Sequence, residues 1–402
     1  MKKVAIAGGG PTGVTLALML VQRGIAVTLV EAAHDFNRVF RGEGLMPSGL
    51  DALQEMGLSN ILEQIPHRQL DAWEFILDKK SLFRVDEPIE ADSQPCTLVS
   101  QPPLLEAAIA EARKYKNFEF IQGVTVKDLL RIDNRVAGMK LADGREITAD
   151  LVIGADGRNS VIRQRAGLKL ERQPKSMDVL WFKLAANPRF VNKNVFSAIG
   201  DGENAFAVFH GAEEGKLHLA WTLSEDNNGN SDRTKTEWAQ MFASLSPSWL
   251  AEHFLNYAET IEKPIKLSVV VGLCPCWHTP GVMLLGDAAH PMSPIRAQGI
   301  NVAFRDVIVA INYLVPLLLS EAENKEIDRV LSQIQKEREP EIIRIQQLQK
   351  EEGRQQKLFP KNIFLRKIVF RLAYLLSKGI RQSWIQRQHK MRRGVTQVKL
   401  EV

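Results

Sequence analysis

The sequence predicts an α/β protein with a parallel sheet near its start, an antiparallel sheet in its middle and helices at its end. Its first 31 residues read as strand, glycine turn, helix and strand, because the apolar runs Lys3–Ala7 and Ile25–Val30 enclose a run of small and apolar residues. Strand-like runs dominate residues 177–271, with one helical stretch at 236–255. A long helical pattern follows residue 300. These observations favour a strand–helix–strand unit joined to a second, mostly antiparallel sheet.

Composition limits the class of protein. The chain has 402 residues, 45% hydrophobic and 25% charged, which is ordinary for a globular protein of two or three structural units. No signal peptide is visible, and no apolar run looks long enough to cross a bilayer. Three cysteines form no disulfide framework, and Cys274-Pro275-Cys276 lacks the second ligand pair of a zinc site. We therefore expect a cytoplasmic protein that binds no metal.

The first motif is Gly8-Gly9-Gly10-Pro11-Thr12-Gly13. Gly8 permits a tight turn, Gly10 lets the backbone approach a pyrophosphate, and Gly13 lets the helix pack close to the strand. Free N–H groups at the helix start then face the phosphates. Glu31 follows about 20 residues after the first glycine, where a carboxylate accepts hydrogen bonds from a ribose. The motif predicts a bound dinucleotide; the alternative is a tight turn without a ligand.

A second motif, Asp156-Gly157, follows an apolar strand. Asp156 either caps the helix that begins near Ser160 or contacts a ribose or a pyridine nucleotide. The motif by itself is only a strand–helix junction.

A third motif, Gly286-Asp287, follows the apolar run 281–285 and leads to a helix start. An aspartate here can accept a hydrogen bond from a ribityl hydroxyl. The helix start comprises Pro294, Ile295, Arg296, Ala297, Gln298, Gly299, Ile300 and Asn301. Its backbone N–H groups suit a ring on which negative charge develops.

The order and spacing of these three motifs resemble those of the FAD-dependent monooxygenases of the para-hydroxybenzoate hydroxylase fold, the group A flavin hydroxylases. The resemblance implies a Rossmann-like FAD-binding domain, an antiparallel β-sheet substrate domain and C-terminal helices. We expect residues 1–175 to form the main FAD-binding part, with a substrate-domain hairpin near 68–92. Residues 176–272 would form the substrate sheet, residues 273–352 would return to the FAD-binding domain with long helices, and residues 353–402 would form basic amphipathic helices.

The resemblance also implies roles for single residues. The ADP half of FAD would be held by Gly8, Gly10, Thr12, Gly13 and Glu31. Arg41 and Gln101 would contact the pyrophosphate and ribose region, although a solvated loop charge is the alternative for Arg41. Asp156 and Gly157 would serve FAD and transient NADH or NADPH binding. Asp287 would bind the ribityl–phosphate region. The isoalloxazine ring would lie over Ala297, Gln298, Gly299, Ile300 and Asn301.

The implied activity is a monooxygenation. NAD(P)H would reduce FAD, O2 would form a flavin C4a-hydroperoxide, and one oxygen atom would hydroxylate or epoxidise an aromatic or lipophilic small molecule. The alternative is an FAD-dependent reductase or dehydrogenase of the same fold that acts on a prenyl or quinone-type substrate. A halogenase ranks lower because its W-x-W-x-I pattern is absent, and a non-catalytic flavoprotein is least favoured.

The sequence contains no motif for the substrate pocket comparable to the three cofactor motifs. Trp181, Phe206, His210 and Trp221 are candidates to line a pocket, with core packing as the alternative for each. His210 is our candidate base. Pro294 and Arg296 complete the pocket candidates. Arg296 stands where the resemblance predicts glycine, so it lies on the loop surface, pairs with a substrate carboxylate, stabilises anionic reduced flavin or restricts flavin movement.

The C-terminal segment is strongly basic. From residue 353 to the end there are thirteen Lys and Arg residues and one acidic residue, Glu401. Apolar residues recur among them at helical spacing. The segment packs on the acidic body, or lies on an anionic membrane surface. Nucleic-acid binding is not expected, because no supporting fold motif accompanies the charge.

Overall fold

The structure, a computed structural model, describes residues 2–36, 44–174, 178–223, 233–355, 360 and 362–402. Its strands in chain order are β1 (Lys3–Ala7), β2 (Ala26–Glu31), β3 (Gly44–Leu45), β4 (His67–Gln69), β5 (Ala72–Leu77), β6 (Lys80–Asp86), β7 (Thr97–Val99), β8 (Phe118–Gln122), β9 (Val126–Ile132), β10 (Arg135–Leu141), β11 (Glu146–Thr148), β12 (Leu151–Gly154), β13 (Glu171–Arg172), β14 (Asp178–Ala185), β15 (Val195–Gly200), β16 (Ala205–His210), β17 (Lys216–Leu223), β18 (Ile265–Ser268), β19 (Gly272–Leu273), β20 (His278–Thr279) and β21 (Val282–Leu284).

The helices of the same ranges are α1 (Pro11–Gln22), α2 (Pro47–Glu55), α3 (Ser59–Glu63), α4 (Gln101–Ala112), α5 (Val161–Arg165), α6 (Pro188–Asn192), α7 (Lys235–Leu245), α8 (Ser248–Asn256), α9 (Gln298–Leu319), α10 (Asn324–Gln355), α11 (Ile363–Leu375) and α12 (Ser377–Arg393). Single 3-10 turns occur at Ala258–Thr260, Gly286–Ala288 and Ile295–Ala297.

The first sheet has the strand order β20-β21-β12-β1-β2-β8 among the described residues. Its strands are parallel except for the edge strand β20. Helix α1 leads from β1 to β2 and packs against α4 and α9. Because neighbouring strands run in one direction, the turns that follow β1, β12 and β21 lie at the same edge of the sheet.

The second large sheet has the order β18-β14-β17-β16-β15-β5-β6 within the described ranges. All its pairs are antiparallel except β15 with β5. The hairpin of β5 and β6 comes from early in the chain and yet joins this sheet. On one face of the sheet, α7 and α8 bury an aromatic and aliphatic core. We call this the outer face and the opposite one the inner face.

The helical stretch at 236–255 is two helices and not one. Helix α7 ends at Leu245, Ser246 is extended, and α8 begins after Pro247. The ring of Pro247 disfavours helical angles at the residue before it, and Ser246 accordingly takes extended angles. The break folds α8 back against α7.

One expectation about membrane crossing was wrong. In the described part of the chain, the segment Ile295–Leu319, which contains α9, is long and apolar enough by length and composition to cross a bilayer. However, 72% of its most apolar stretch is buried inside the protein. It packs against α1, α2 and α10, so α9 serves as a core helix.

Candidate active site

The glycine turn after β1 is shaped by close backbone contacts. Gly8 has φ +104°, and a Cβ there would lie 2.4 Å from the Ala155 carbonyl oxygen. A Cβ on Gly13 would lie 1.9 Å from the Gly8 carbonyl oxygen. At Gly10, by contrast, no atom lies within 4 Å of an added Cβ. The turn is therefore tight on its inner side and open beside Gly10 at the start of α1, as a pyrophosphate site requires.

Glu31 lies at the end of β2 and is buried. Its Oε2 accepts a hydrogen bond of 2.6 Å from the Gly9 N–H, and its Oε1 accepts one of 2.7 Å from the Ala33 N–H. The carboxylate thus ties the glycine turn to the end of the neighbouring strand.

Asp156 caps the helix that follows it. Both carboxylate oxygens are used: Oδ1 accepts from the Ser160 hydroxyl, and Oδ2 accepts from the N–H groups of Val161 at 2.7 Å and Ile162 at 3.1 Å. Burial raises the pKa of Asp156. A Cβ on Gly8 would lie 2.7 Å from the Asp156 Cα, so this turn touches the first glycine turn. Gly157, with φ +78°, continues it.

The turn that carries Asp287 is the third turn at this edge of the parallel sheet. Gly286 has φ +59°, and a Cβ there would lie 2.3 Å from the Thr12 Oγ1, so the first and third motifs are in contact. Asp287 itself is exposed. Behind it, the Gly286 N–H donates to Asp306 Oδ2 over 3.3 Å. Three turns from separate parts of the sequence therefore meet at one end of the parallel sheet.

A buried ionic cluster supports this turn, and sequence reasoning missed it. Asp306 lies on α9, and its Oδ2 is 2.8 Å from His290 Nε2. Its Oδ1 accepts a hydrogen bond of 2.8 Å from Arg338 Nε on α10. Glu341 accepts from Arg338 and from Arg305. Burial alone would raise the pKa of Glu341, but the two guanidinium groups hold it at about 2. The signal was present as the adjacent charges Arg305 and Asp306 inside an otherwise apolar helix.

The helix-start loop is held by Asn301, which is fully buried. Its Oδ1 accepts from the Met46 N–H over 2.8 Å, and its Nδ2 donates to the carbonyl oxygens of Gly44 at 3.1 Å and Ala297 at 2.7 Å. An added Cβ on Gly299 would meet nothing within 4 Å. The start of the 22-residue α9 therefore combines a fixed backbone with open space at Gly299.

The neighbouring residues of this loop differ in burial. Pro294 is exposed, Ile300 is buried, and Gln298 is buried with its Nε2 donating to the Arg296 carbonyl oxygen over 2.8 Å. Gln101 lies half-buried at the first position of α4. Arg41 lies outside the residues that the structure describes.

Arg296 points into the interface between the loop and the inner face of the second sheet. Its φ is +60°, the left-handed region that favours glycine. Its guanidinium carbon lies 5.0 Å from the ring centres of both Trp73 and Trp384. Arg296 Nε donates to Glu352 Oε1 over 2.8 Å, and only 9% of the arginine side chain is exposed. Of the expected positions for Arg296, the loop surface is therefore excluded.

The four residues of the second sheet that we expected to line a pocket lie on different faces of it, because successive side chains of a strand point to opposite sides. Trp181 lies on the inner face, in the same cluster as Trp73 and Phe209. Phe206 and Trp221 lie on the outer face and pack on α7 and α8. Trp221 is therefore a core residue of the outer face, and the structure does not bring it together with the loop of Arg296.

His210 lies on the outer side with Phe206, which is four residues before it on the same strand. Its Nδ1 donates to the Gly211 carbonyl oxygen over 2.8 Å, and burial lowers its pKa. This position does not support the role of base that we expected. The inner face carries a different histidine, His218, whose ring centre lies 5.7 Å from that of Trp181.

Comparisons with known proteins agree with this arrangement. Residues 1–344 match the family described as FAD binding domain. The chain is 30% identical over 360 residues to 6-methylpretetramide 4-monooxygenase of Streptomyces rimosus, covering 86% of this chain and 82% of that protein. It is 25% identical over 337 residues to 3-demethoxyubiquinol 3-hydroxylase of Escherichia coli, covering 78% and 79%. The crystal structure of p-nitrophenol 4-monooxygenase from Pseudomonas putida superposes with a TM-score of 0.80 at 18% identity, covering 99% and 100%.

A parallel sheet on which three turns meet at one end, joined to a second sheet with an aromatic inner face, is the architecture of the flavoprotein hydroxylase class. The chain belongs to the FAD-binding family of monooxygenases with the para-hydroxybenzoate hydroxylase fold. It is an FAD-dependent monooxygenase that takes its electrons from NAD(P)H. The predictions of fold class, cofactor and oxygenase activity are thus confirmed, and the relatives do not support the reductase alternative.

Proposed function

We propose that this monooxygenase hydroxylates an electron-rich aromatic substrate with fused rings. The observation that carries the proposal is the aromatic wall on the inner face of the second sheet. Ring centres lie 4.8 Å apart for Trp73 and Phe196, 5.2 Å for Phe196 and Phe209, and 5.9 Å for Phe209 and Trp181. Such a wall suits a flat apolar molecule, because aromatic pairs gain roughly 0.5–1.5 kcal/mol beyond the area they bury. The substrate named for the relative 6-methylpretetramide 4-monooxygenase supports this class.

We also propose the cofactor contacts. The open side of Gly10, the exposed Asp287 and the open side of Gly299 follow one another from the start of α1 to the start of α9, which fits an extended dinucleotide. When bound, FAD supplies the activation of dioxygen with electrons from NAD(P)H. Glu31 holds the glycine turn, Asn301 holds the flavin-side loop, and the aromatic wall keeps water from the reacting atoms.

Arg296 has a defined part in this proposal. Its guanidinium closes the end of the aromatic wall next to the loop and is neutralised by Glu352. It therefore supports the loop and wall in one geometry, and a substrate carboxylate would have to compete with Glu352 for it. This arrangement favours a neutral or phenolic substrate over a carboxylate.

For the partners and location, we propose a cytoplasmic enzyme that takes a small aromatic molecule and O2 and touches a membrane through α11. A lipophilic fused-ring substrate partitions into lipid, so a peripheral contact would bring the enzyme to its substrate. Neither NADH nor NADPH is favoured by the residues described.

The test is a coupled measurement on the purified holoenzyme. The protein is supplied with NADH or NADPH, isotopically labelled O2 and either a hydroxyanthracene or phenol. We expect the hydroxyanthracene to accelerate NAD(P)H oxidation and to gain one labelled oxygen atom. Faster turnover of phenol than of the hydroxyanthracene would contradict the fused-ring proposal. NAD(P)H oxidation that yields only hydrogen peroxide with both probes would contradict hydroxylation of this class.

A further inference from the structure

Helix α11 exposes an apolar stripe. Of the fourteen large hydrophobic side chains exposed in the described part of the chain, six lie in α11 and the residue after it: Phe364, Leu365, Ile368, Leu372, Leu375 and Leu376. Phe364 is 73% exposed and Leu375 is 81% exposed. Side chains three, four and seven residues apart share one side of a helix, so a single stripe is formed by Phe364, Leu365, Ile368, Leu372 and Leu375.

The stripe is held away from the protein by the opposite side of α11. Phe370 is buried there. The Tyr374 hydroxyl donates to the carbonyl oxygens of Leu77 and, over 3.0 Å, Lys80. Arg366 lies 3.2 Å from Glu203. The helix is thus fixed on the second sheet by one side, and its apolar side faces outward.

Basic residues border the stripe. Lys367 and Arg371 are exposed one helical turn after Phe364 and Ile368, and Lys378 is exposed at the start of α12, next to the end of the stripe. From residue 353 to residue 400 the sequence contains no Asp or Glu. An exposed apolar stripe edged by cations is the pattern of a helix that lies in the plane of an anionic membrane interface.

Arg392, near the end of α12, differs from these exposed basic residues. The Arg392 guanidinium is buried and bonds both Glu87 oxygens at 2.7 Å and Glu90 at 2.9 Å. Trp384 packs into the aromatic wall at 5.2 Å from Phe75. Helix α12 therefore packs on the body, as the first of our two alternatives for the C-terminal segment predicts, whereas α11 leaves Lys367, Arg371 and its apolar stripe exposed.

We propose that the exposed stripe of α11, with its basic border, docks this enzyme on an anionic lipid bilayer. A second copy of the chain is the less suitable occupant, because a symmetric dimer through this face would bring the basic borders of both copies together, and α11 itself carries no acidic residue to neutralise them. The proposal deepens the membrane contact of the proposed function by naming its surface and lipid chemistry. It does not depend on which substrate is hydroxylated.

An open groove begins at Leu375 and Leu376, at the end of the docking surface. It is lined by Leu375, Leu376, Gly379, Ile380, Ser383 and Arg387. Ile380 also packs against the cluster that contains Trp73 and Trp384. A lipophilic molecule that leaves the bilayer at α11 would therefore enter next to the aromatic wall.

The experiment is vesicle co-sedimentation of the full-length holoenzyme. The vesicles contain phosphatidylcholine alone or with phosphatidylglycerol. We expect binding only to the anionic vesicles. The triple variant Leu365→Ser, Leu372→Ser, Leu375→Ser should bind at least about tenfold more weakly, given the transfer free energy of leucine side chains. Lys367→Gln with Arg371→Gln should weaken binding and reduce its dependence on salt.

The matched control is the double variant Ile132→Ser, Leu319→Ser, which removes apolar residues that are 67% and 57% exposed elsewhere on the protein. Bound flavin and the circular dichroism spectrum verify folding for each variant. Three results would overturn the proposal: no binding of the wild-type protein, equal loss in the control, or a dimer that the triple variant alone converts to monomer. NAD(P)H oxidation measured without vesicles reports separately on the proposed function.

Discussion

Arg296 and Glu352 join the flavin-side loop to the long helix α10 through an ion pair in which both side chains are largely buried. Gln388 of α12 donates to the second Glu352 oxygen over 3.1 Å. Gln349, one turn before Glu352, donates to the Ser293 and Ile295 carbonyl oxygens at 2.8 Å each. The loop that lies beside Gly299 is therefore positioned by two C-terminal helices.

This relationship predicts the effect of Glu352→Gln. The change leaves the Arg296 guanidinium without its countercharge in a nearly dry interface, so the free energy of unfolding should fall by roughly 1–3 kcal/mol. FAD should remain bound, because the glycine turns are untouched. Urea unfolding and the flavin absorbance ratio measure the two quantities. The control is Glu351→Gln, which removes an exposed partner of Arg344. Equal destabilisation by both variants would contradict the role given to the buried pair.

Gly10 and Gly13 of the first turn should respond differently to replacement by alanine, because only Gly10 has open space at its Cβ position. Gly10→Ala adds a methyl group into open space at ordinary backbone angles, so the apoprotein should keep its stability while FAD binds about tenfold or more weakly. Gly13→Ala places a methyl group 1.9 Å from a carbonyl oxygen and should prevent stable folding. Flavin fluorescence titration and apoprotein melting separate the effects. Unchanged FAD affinity in Gly10→Ala would show that the pyrophosphate does not lie there.

The two faces of the second sheet predict opposite results for two tryptophans. Trp181→Phe trims the aromatic wall and should raise KM several-fold with little change in melting temperature. Trp221→Phe leaves a void in the core beside Trp238 and Phe242 and should cost about 1–3 kcal/mol of stability without changing KM. Steady-state kinetics and thermal unfolding of the pair test the assignment. If only Trp221→Phe raised KM, the outer face and not the inner face would be the one that contacts the substrate.

Acid should weaken the protein through Glu341. Its pKa falls from 4.5 to about 2 on folding because Arg338 and Arg305 overcome the effect of burial. A depressed carboxyl pKa stabilises the fold above the unfolded pKa, and this stabilisation is lost as pH falls from 4.5 towards 2. The amount is on the order of 3 kcal/mol. Glu341→Gln should be less stable at neutral pH and should lose less stability over that range, as denaturant unfolding at several pH values would show. A pH slope equal to that of the wild type would assign the acid sensitivity to other groups.

The cofactor side of the site could be predicted from the sequence because its signals are local. Gly8, Asp156 and Asp287 each follow an apolar strand, and parallel strands bring their carboxyl ends to one edge. The same reasoning failed to resolve the role of Asp156, since a cap and a ligand contact need the same residue type. The ring of hydrogen bonds around Asn301 depends on residues 255 positions away and leaves no local pattern.

The substrate side could not be predicted because it depends on register. Trp181 lies opposite Ala220 in the β14–β17 pair, and a shift of one residue would have placed Trp221 on the inner face in place of Ala220. Alternation along β17 shows only that Trp221 and His218 point to opposite sides. For Arg296, the sequence indicates an unusual residue at a glycine-like position, but its partners lie 56 and 88 residues further along the chain.

The place of Trp384 and Arg392 has a consequence for synthesis on the ribosome. Every strand of both large sheets lies before residue 285, so a nascent chain can assemble them long before α12 leaves the exit tunnel. Until then Glu87 and Glu90 have no Arg392, and the aromatic wall lacks Trp384. Until α12 is made, the inner face of the second sheet therefore lacks the side chain that packs on Phe75 and Phe83, and the buried Glu87 carboxylate lacks its guanidinium partner. The last residues to be translated complete both the aromatic packing and the buried charge pairing of a sheet formed by residues far earlier in the chain.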